Sequence, residues 1–127
     1  MDRTTKLHQY ILRDLRDDLL LMFPKLCDQT DQVLLKKLFR NYRWSTSKGQ
    51  SQGIRLSLVG NQLMQKHYEC HTYKYQGSRS HTVFVALDQH MLWPYYLGRG
   101  QIAFYNDQDA AWFQLNGQDI ENFVNFI

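Results

Sequence analysis

The sequence predicts an α+β fold: a helix-rich single domain, residues 1–127, with a small antiparallel sheet. Three observations predict it. Leu7, Ile11, Leu15, Leu19 and Met22 recur at helical spacing, with charged residues between them. From Cys70 to Tyr75 the period changes to two, with Cys70, Thr72 and Lys74 on one side and His71, Tyr73 and Tyr75 on the other. The chain has 127 residues, 43% of them hydrophobic and 14% aromatic, which is enough for one core and short for two domains.

The first helix is expected from Thr4 or Thr5, as N-cap, to Met22, with Pro24 ending it. A second begins near Asp28 or Thr30, with Asp31 in its first turn. It runs to about Arg43 through Leu34, Leu35, Leu38, Phe39 and Tyr42. Lys36, Arg40 and Arg43 then line up on its outer face, with Lys37 close by. Trp44 to Gly53 is polar and rich in small residues, a loop signal. Lys48 and Gly49 within it lack the glycine spacing and the Gly-Lys-Ser/Thr order of a phosphate-binding loop.

Ile54–Leu56 reads as a short strand, and Ser57 as the cap of a third helix through Leu58, Val59, Leu63, Met64 and His67, with Asn61, Gln62, Gln65 and Lys66 exposed. The strand at 70–75 is followed by a turn at Gln76–Ser80 and a returning strand at His81–Leu87. Helix competes for that last segment, because Val83, Phe84, Leu87 and Met91 also suit helical spacing. Leu92–Gly100 reads as an irregular aromatic crossing and Gln101–Tyr105 as a strand. A helix capped by Asn106 or Asp107 then runs to Gly117, and a last helix carries Ile120, Phe123, Val124 and Ile127.

Charge is segregated along the chain. Residues 1–35 carry a net charge of −1, residues 36–79 carry +8 and residues 80–127 carry −4, for a total of +3. If the fold gathers the central cations on one face, counterion release favours a polyanionic partner, nucleic acid first. The alternative is that the basic third packs beside the acidic third, within a monomer or across a homodimer. No apolar run approaches the roughly 20 residues of a membrane span, and the first residues lack the apolar region of a secretory signal. With two unclustered cysteines, Cys27 and Cys70, the expected setting is a reducing, cytoplasmic one, away from membranes.

Two helices, a short strand, a Ser-capped helix and two strands joined by a Gly-Ser-Arg turn is similar to the element order of a winged helix-turn-helix. Gly53-Ile54-Arg55-Leu56-Ser57-Leu58-Val59-Gly60, followed by Leu63, carries the resemblance, which covers residues 28–87. The long loop before the third helix departs from that family's tight turn. The resemblance implies a winged-helix-like, non-enzymatic nucleic-acid-binding module. The third helix would enter a major groove with Gln62, Gln65 and Lys66 near base edges, while Arg40, Arg43, Lys48, Lys74 and Arg79 bind phosphates. Lys36 and Lys37 complete the basic set. The aromatic segment from Trp93 to Trp112, with the leucine-rich start, also resembles small accessory proteins of tailed phages. That likeness implies a viral protein acting by binding, and it supplies no site residues. The alternative function is therefore a protein-interaction module working through the aromatic C-terminal quarter.

No catalytic constellation emerges. His67, Cys70 and His71, with His81, are the only ligand-like cluster, but their placement on a helix end and on opposite strand faces does not make a tetrahedral set, so neither a metal nor another cofactor is expected. Asp14, Asp17 and Asp18 fall on the outside of the first helix. Asp107, Asp109, Asp119 and Glu121 fall in first helical turns, where they oppose the dipole. Tyr73, Tyr75, Trp93, Tyr95 and Tyr96 could stack on unpaired bases, anchor a protein partner or fill the core.

Overall fold

A computed structural model describes residues 3–40, 42–45, 50–52, 54–75, 81–98 and 100–116. The fold is α+β: among these residues five α-helices accompany a two-stranded and a three-stranded antiparallel sheet. The chain divides into two compact units, Met1–His67 and Tyr68–Ile127. None of the described helices is long and apolar enough to cross a membrane.

In the first unit, α1 (Arg3–Met22) starts just before the threonines read as its cap; Thr5 lies inside the helix and is buried. Ile11, Leu12, Leu15 and Leu19 form its buried stripe. A 3-10 turn at Pro24–Leu26 follows, because Pro24 cannot donate to the preceding turn. The second helix, α2, is shorter than its periodicity suggests. It spans Asp31–Leu38, and Phe39 is already extended at φ −121°, ψ 138°.

The reason is tertiary. Phe39 forms an antiparallel bridge with Leu56. The Arg40 amide donates to the Arg55 carbonyl at 2.8 Å, and the Ser57 amide to the Leu38 carbonyl at 2.9 Å. Phe39 and Leu56 are both buried, so leaving the helix satisfies the backbone and hides two large apolar side chains. Phe39 and Tyr42 also pack edge-on against the buried ring of His8, at 4.7 and 5.3 Å between centroids. Arg40 and Arg43 are therefore not on a helix, and the expected row of Lys36, Arg40 and Arg43 along one helical face does not form. Arg43 belongs to β1 (Arg43–Ser45), which pairs with β2 (Gln50–Gln52) in the register Arg43↔Gln52 and Ser45↔Gln50. Part of the expected polar loop is thus a backbone-paired ribbon.

Ile54–Leu56 is not an extended strand: Arg55 and Leu56 are isolated bridge residues, Leu56 opposite Phe39, before α3 (Leu58–His67) begins. Ser57 caps α3: its Oγ accepts the Gly60 amide at 3.0 Å and donates to the Lys37 carbonyl at 2.7 Å, with the Leu38 carbonyl at 3.1 Å. One hydroxyl thus serves an orphan N–H of α3 and a terminal carbonyl of α2. Ser57→Ala is expected to cost about 1 kcal/mol or somewhat more, since the cap and the interhelical bond are lost together. Urea unfolding of the full chain measures it; an unchanged midpoint would contradict the cap. Helices α1, α2 and α3 pack on one another pairwise, with Leu34, Leu35, Leu38, Leu63 and Met64 between them.

In the second unit the strand order is β3-β5-β4, from β3 (His71–Lys74), β4 (Tyr95–Gly98) and β5 (Gln101–Phe104), with β5 antiparallel to both neighbours. Residues 81–87, read first as the strand returning on 70–75, lie instead in α4 (His81–His90). Val83, Leu87 and Met91 are buried at i, i+4 and i+8, the helical alternative, and β3 takes β5 as its partner. Within the aromatic crossing, Tyr95–Gly98 is regular strand. Two residues join β4 to β5, the second being Gly100 at φ +74°, where a side chain would be strained. Asn106 caps α5 (Asp107–Asn116): its Oδ1 accepts the Gln108 amide at 2.7 Å and its carbonyl accepts the Ala110 amide. Phe113 of α5 packs on Phe104 and Tyr73 of the sheet, at 5.1 and 5.4 Å. The expected turn at 76–80 and the last helix at 120–127 lie outside the described residues.

Candidate functional site

Lys36 and Lys37 sit in the last turn of α2, where cations complement the carbonyl end of the helix dipole. Lys37 Nζ lies 4.3 Å from the centre of the Phe23 ring, which leaves its stem over the 3-10 turn. Arg40 follows directly and is exposed; its backbone is tied to Arg55, two residues before the Ser57 cap. On α3 Gly60 is buried and the side chains of Asn61, Leu63 and Met64 face inward, while Leu58, Gln62, Gln65 and Lys66 face solvent; Asn61, expected on the exposed face, is instead buried beside Gly60 on the side that meets the end of α2.

Two groups of cations therefore bracket α3. Lys36, Lys37 and Arg40 stand where α2 meets its N-terminus, and Lys66 stands in its last turn. Ten residues at 1.5 Å each separate the two ends by about 15 Å. None of these four side chains forms an ion pair with a described residue. The paired acids of the unit are spent elsewhere: Asp14 with Arg13, Asp31 with Arg16, and Asp18 with Nε2 of His67 at 2.7 Å.

The remaining candidates fall in β1, in the second unit or outside the described residues. Lys74 is exposed at the end of β3, in the second unit. The β-hairpin that was to carry Lys74 and Arg79 as a wing is not formed by 70–75 and 81–87, because the latter are helical. Lys48 and Arg79 lie outside the described residues, and of Arg43 only the strand is described. Tyr75 and Tyr95 are buried, which withdraws them from base stacking and from a partner's reach, and Phe104, Tyr105 and Phe113 are core residues as well.

A second cluster was missed by sequence reasoning. Glu69, His71 and Asp107 place one ligand atom each within 4.8 Å of one another, in an open groove also lined by Trp93, Tyr105, Asn106 and Gln108. His71 Nε2 and Asp107 Oδ1 are 2.7 Å apart. The spacing of Glu69 and His71, two apart at a strand start, is visible in the sequence. Asp107 is recruited only by the pairing of His71 with Phe104 across β3 and β5. The histidine–cysteine grouping weighed from the sequence is not this set: His67 is bonded to Asp18, and Cys70 Sγ lies 3.2 Å from Thr72 Oγ1.

Comparison with known proteins found no matching family model, no matching curated protein and no matching solved structure.

Proposed function

We propose that the first unit is a nucleic-acid-binding module, with α3 presented to a duplex groove and the cations at its two ends on phosphates. The observation that carries this reading is the bracketed helix: an exposed polar face of Gln62, Gln65 and Lys66, with Lys36, Lys37 and Arg40 at the opposite end. A B-form major groove is about 12 Å wide and admits one α-helix. The ends of α3 are about 15 Å apart, and cations near each end can reach phosphates on the walls of that groove. Glutamine supplies the donor and acceptor that pair bidentately with adenine. The three-helix packing supports the likeness to helix-turn-helix proteins; the wing plays no part in the reading.

Fluorescence anisotropy with a labelled DNA duplex tests it. The full chain should bind at low salt, and log K should fall linearly with log salt. Neutralising Lys36, Arg40 and Lys66 together (K36Q/R40Q/K66Q) should weaken binding and flatten that slope by up to about one unit per phosphate contact removed. Because the three side chains are solvated, unfolding free energy should change by less than about 0.5 kcal/mol per site. Absence of binding at low salt, or binding indifferent to salt and to the triple variant, would refute the proposal. Stoichiometric capture of a protein partner that survives nuclease treatment and does not depend on these cations would favour the interaction-module reading instead.

A further inference from the structure

We propose that Glu69, His71 and Asp107 form a surface site for a divalent transition-metal ion, of which Zn²⁺ is the fitting probe. Two carboxylates and an imidazole converge there with their ligand atoms within 4.8 Å. Carboxylates brought that close repel each other, and no Lys or Arg among the described residues is ion-paired with either of them. A neutral imidazole can satisfy one of them through a hydrogen bond. It leaves the other facing a like charge, and a cation between them removes the conflict.

The backbone under the cluster is fixed from two sides. His71 is held at the start of β3 by its pairing with Phe104 of β5, and Asp107 opens α5 immediately after the Asn106 cap. Glu69 lies two residues before His71. The adjustment that binding needs falls on exposed side chains: Asp107 is 85% exposed, and Glu69 is exposed as well. Bonds of about 2.0–2.2 Å to a zinc ion put neighbouring ligand atoms about 3.3 Å apart in a tetrahedron. The His71–Asp107 hydrogen bond would open slightly and Glu69 would close in.

The donor set chooses the metal. Imidazole suits zinc and its neighbours, whereas magnesium and calcium take sets made only of oxygen. Three protein ligands also leave one position for water, as in open zinc sites. The nearby thiol is not the fourth ligand, since Cys70 turns towards Thr72.

The test is calorimetric titration of Zn²⁺ into the chelator-stripped full chain in the C27S/C70S background, which removes adventitious thiolate binding. One equivalent should bind, and Mg²⁺ in excess should not displace it. Glu69→Gln with Asp107→Asn should weaken binding at least about tenfold, the scale on which even supporting groups of metal sites act. His90→Ala, which removes a ring stacked on Trp112, and His67→Ala should leave it unchanged. The imidazole nitrogen resonances of His71 should shift with the same midpoint, a readout that does not depend on any variant folding. A lack of saturable binding would overturn the proposal, as would equal affinity in the double variant or an unperturbed His71. Any of these results would leave a histidine–carboxylate hydrogen bond and nothing more. None of the measurements touches the DNA-binding residues of the first unit, so the two proposals stand or fall separately.

Discussion

Gly60→Ala is expected to destabilise the protein by about 3 kcal/mol, although alanine is the better helix former. Gly60 lies in the first turn of α3, and a β-carbon built there would fall 2.1 Å from the carbonyl oxygen of Leu38 and 3.0 Å from its carbon. The obstruction is backbone, and it is pinned: the same Leu38 oxygen accepts the Ser57 amide, and Lys37 and Leu38 face the Ser57 hydroxyl. Helix propensity favours alanine by about 1 kcal/mol. Overpacking costs about 1–3 kcal/mol in ordinary cores, and more where the neighbour cannot rotate away. The steric term wins, and relief requires α3 to lift from the end of α2. Urea unfolding of G60A measures the loss, and a variant as stable as the parent would show that the two helices are not this close. Because Lys36, Lys37 and Arg40 stand at this junction, G60A should also weaken the proposed DNA binding more than a surface substitution of equal stability does.

Asp109→Ala should cost a similar amount, about 3 kcal/mol, for an electrostatic reason. Asp109 is only 2% exposed. Its Oδ1 accepts the Leu92 amide at 2.8 Å and its Oδ2 accepts the Trp93 amide at 2.9 Å. The carboxylate in the first turn of α5 thus ties down the segment that leads from α4 into β4. Hydrogen bonds to a charged group contribute about 1.5–3 kcal/mol each, and truncation leaves both amides without their acceptor. Asp109→Asn keeps one oxygen and turns a donor towards the second amide, so its stability should fall between the parent and D109A. Chemical unfolding of the three proteins gives the order; an Asn variant equal to the parent would mean that only one of the two bonds contributes. Trp93, packed edge-on against Tyr68 at 5.5 Å, supplies a local fluorescence reporter of the same change.

The hydrophobic periods settled more of this protein than the charges did. The span of α1, the Ser57 cap, the exposure of Gln62, Gln65 and Lys66 on α3 and the strand after it follow from residues close together in the sequence: an apolar stripe, a small hydroxyl before a helix, a period of two. Such signals act within one or two turns, and neighbours carry them. Where the reading failed, the deciding interaction came from far along the chain. Phe39 has helical spacing, yet the burial it gains opposite Leu56 draws it out of the helix, and with it go Arg40 and the expected basic face. Residues 81–87 suit a strand or a helix equally. The choice fell to helix because Val83, Leu87 and Met91 could be buried together while β5 took the edge of β3.

The candidate sites divide in the same way. That Gln62, Gln65 and Lys66 share an exposed face was readable from spacing alone, because a helix is periodic. Asp109 was read as a dipole partner, and its true ligands, the amides of residues 92 and 93, belong to another segment. Glu69 and His71 are close in sequence, but Asp107 reaches them only through a sheet register. Composition and periodicity thus set most of the helical segments and their apolar faces, since those energies are local. Which strands pair, where a helix is cut short and which distant side chains become neighbours were decided by packing, since burial and backbone hydrogen bonding are satisfied over the whole chain at once.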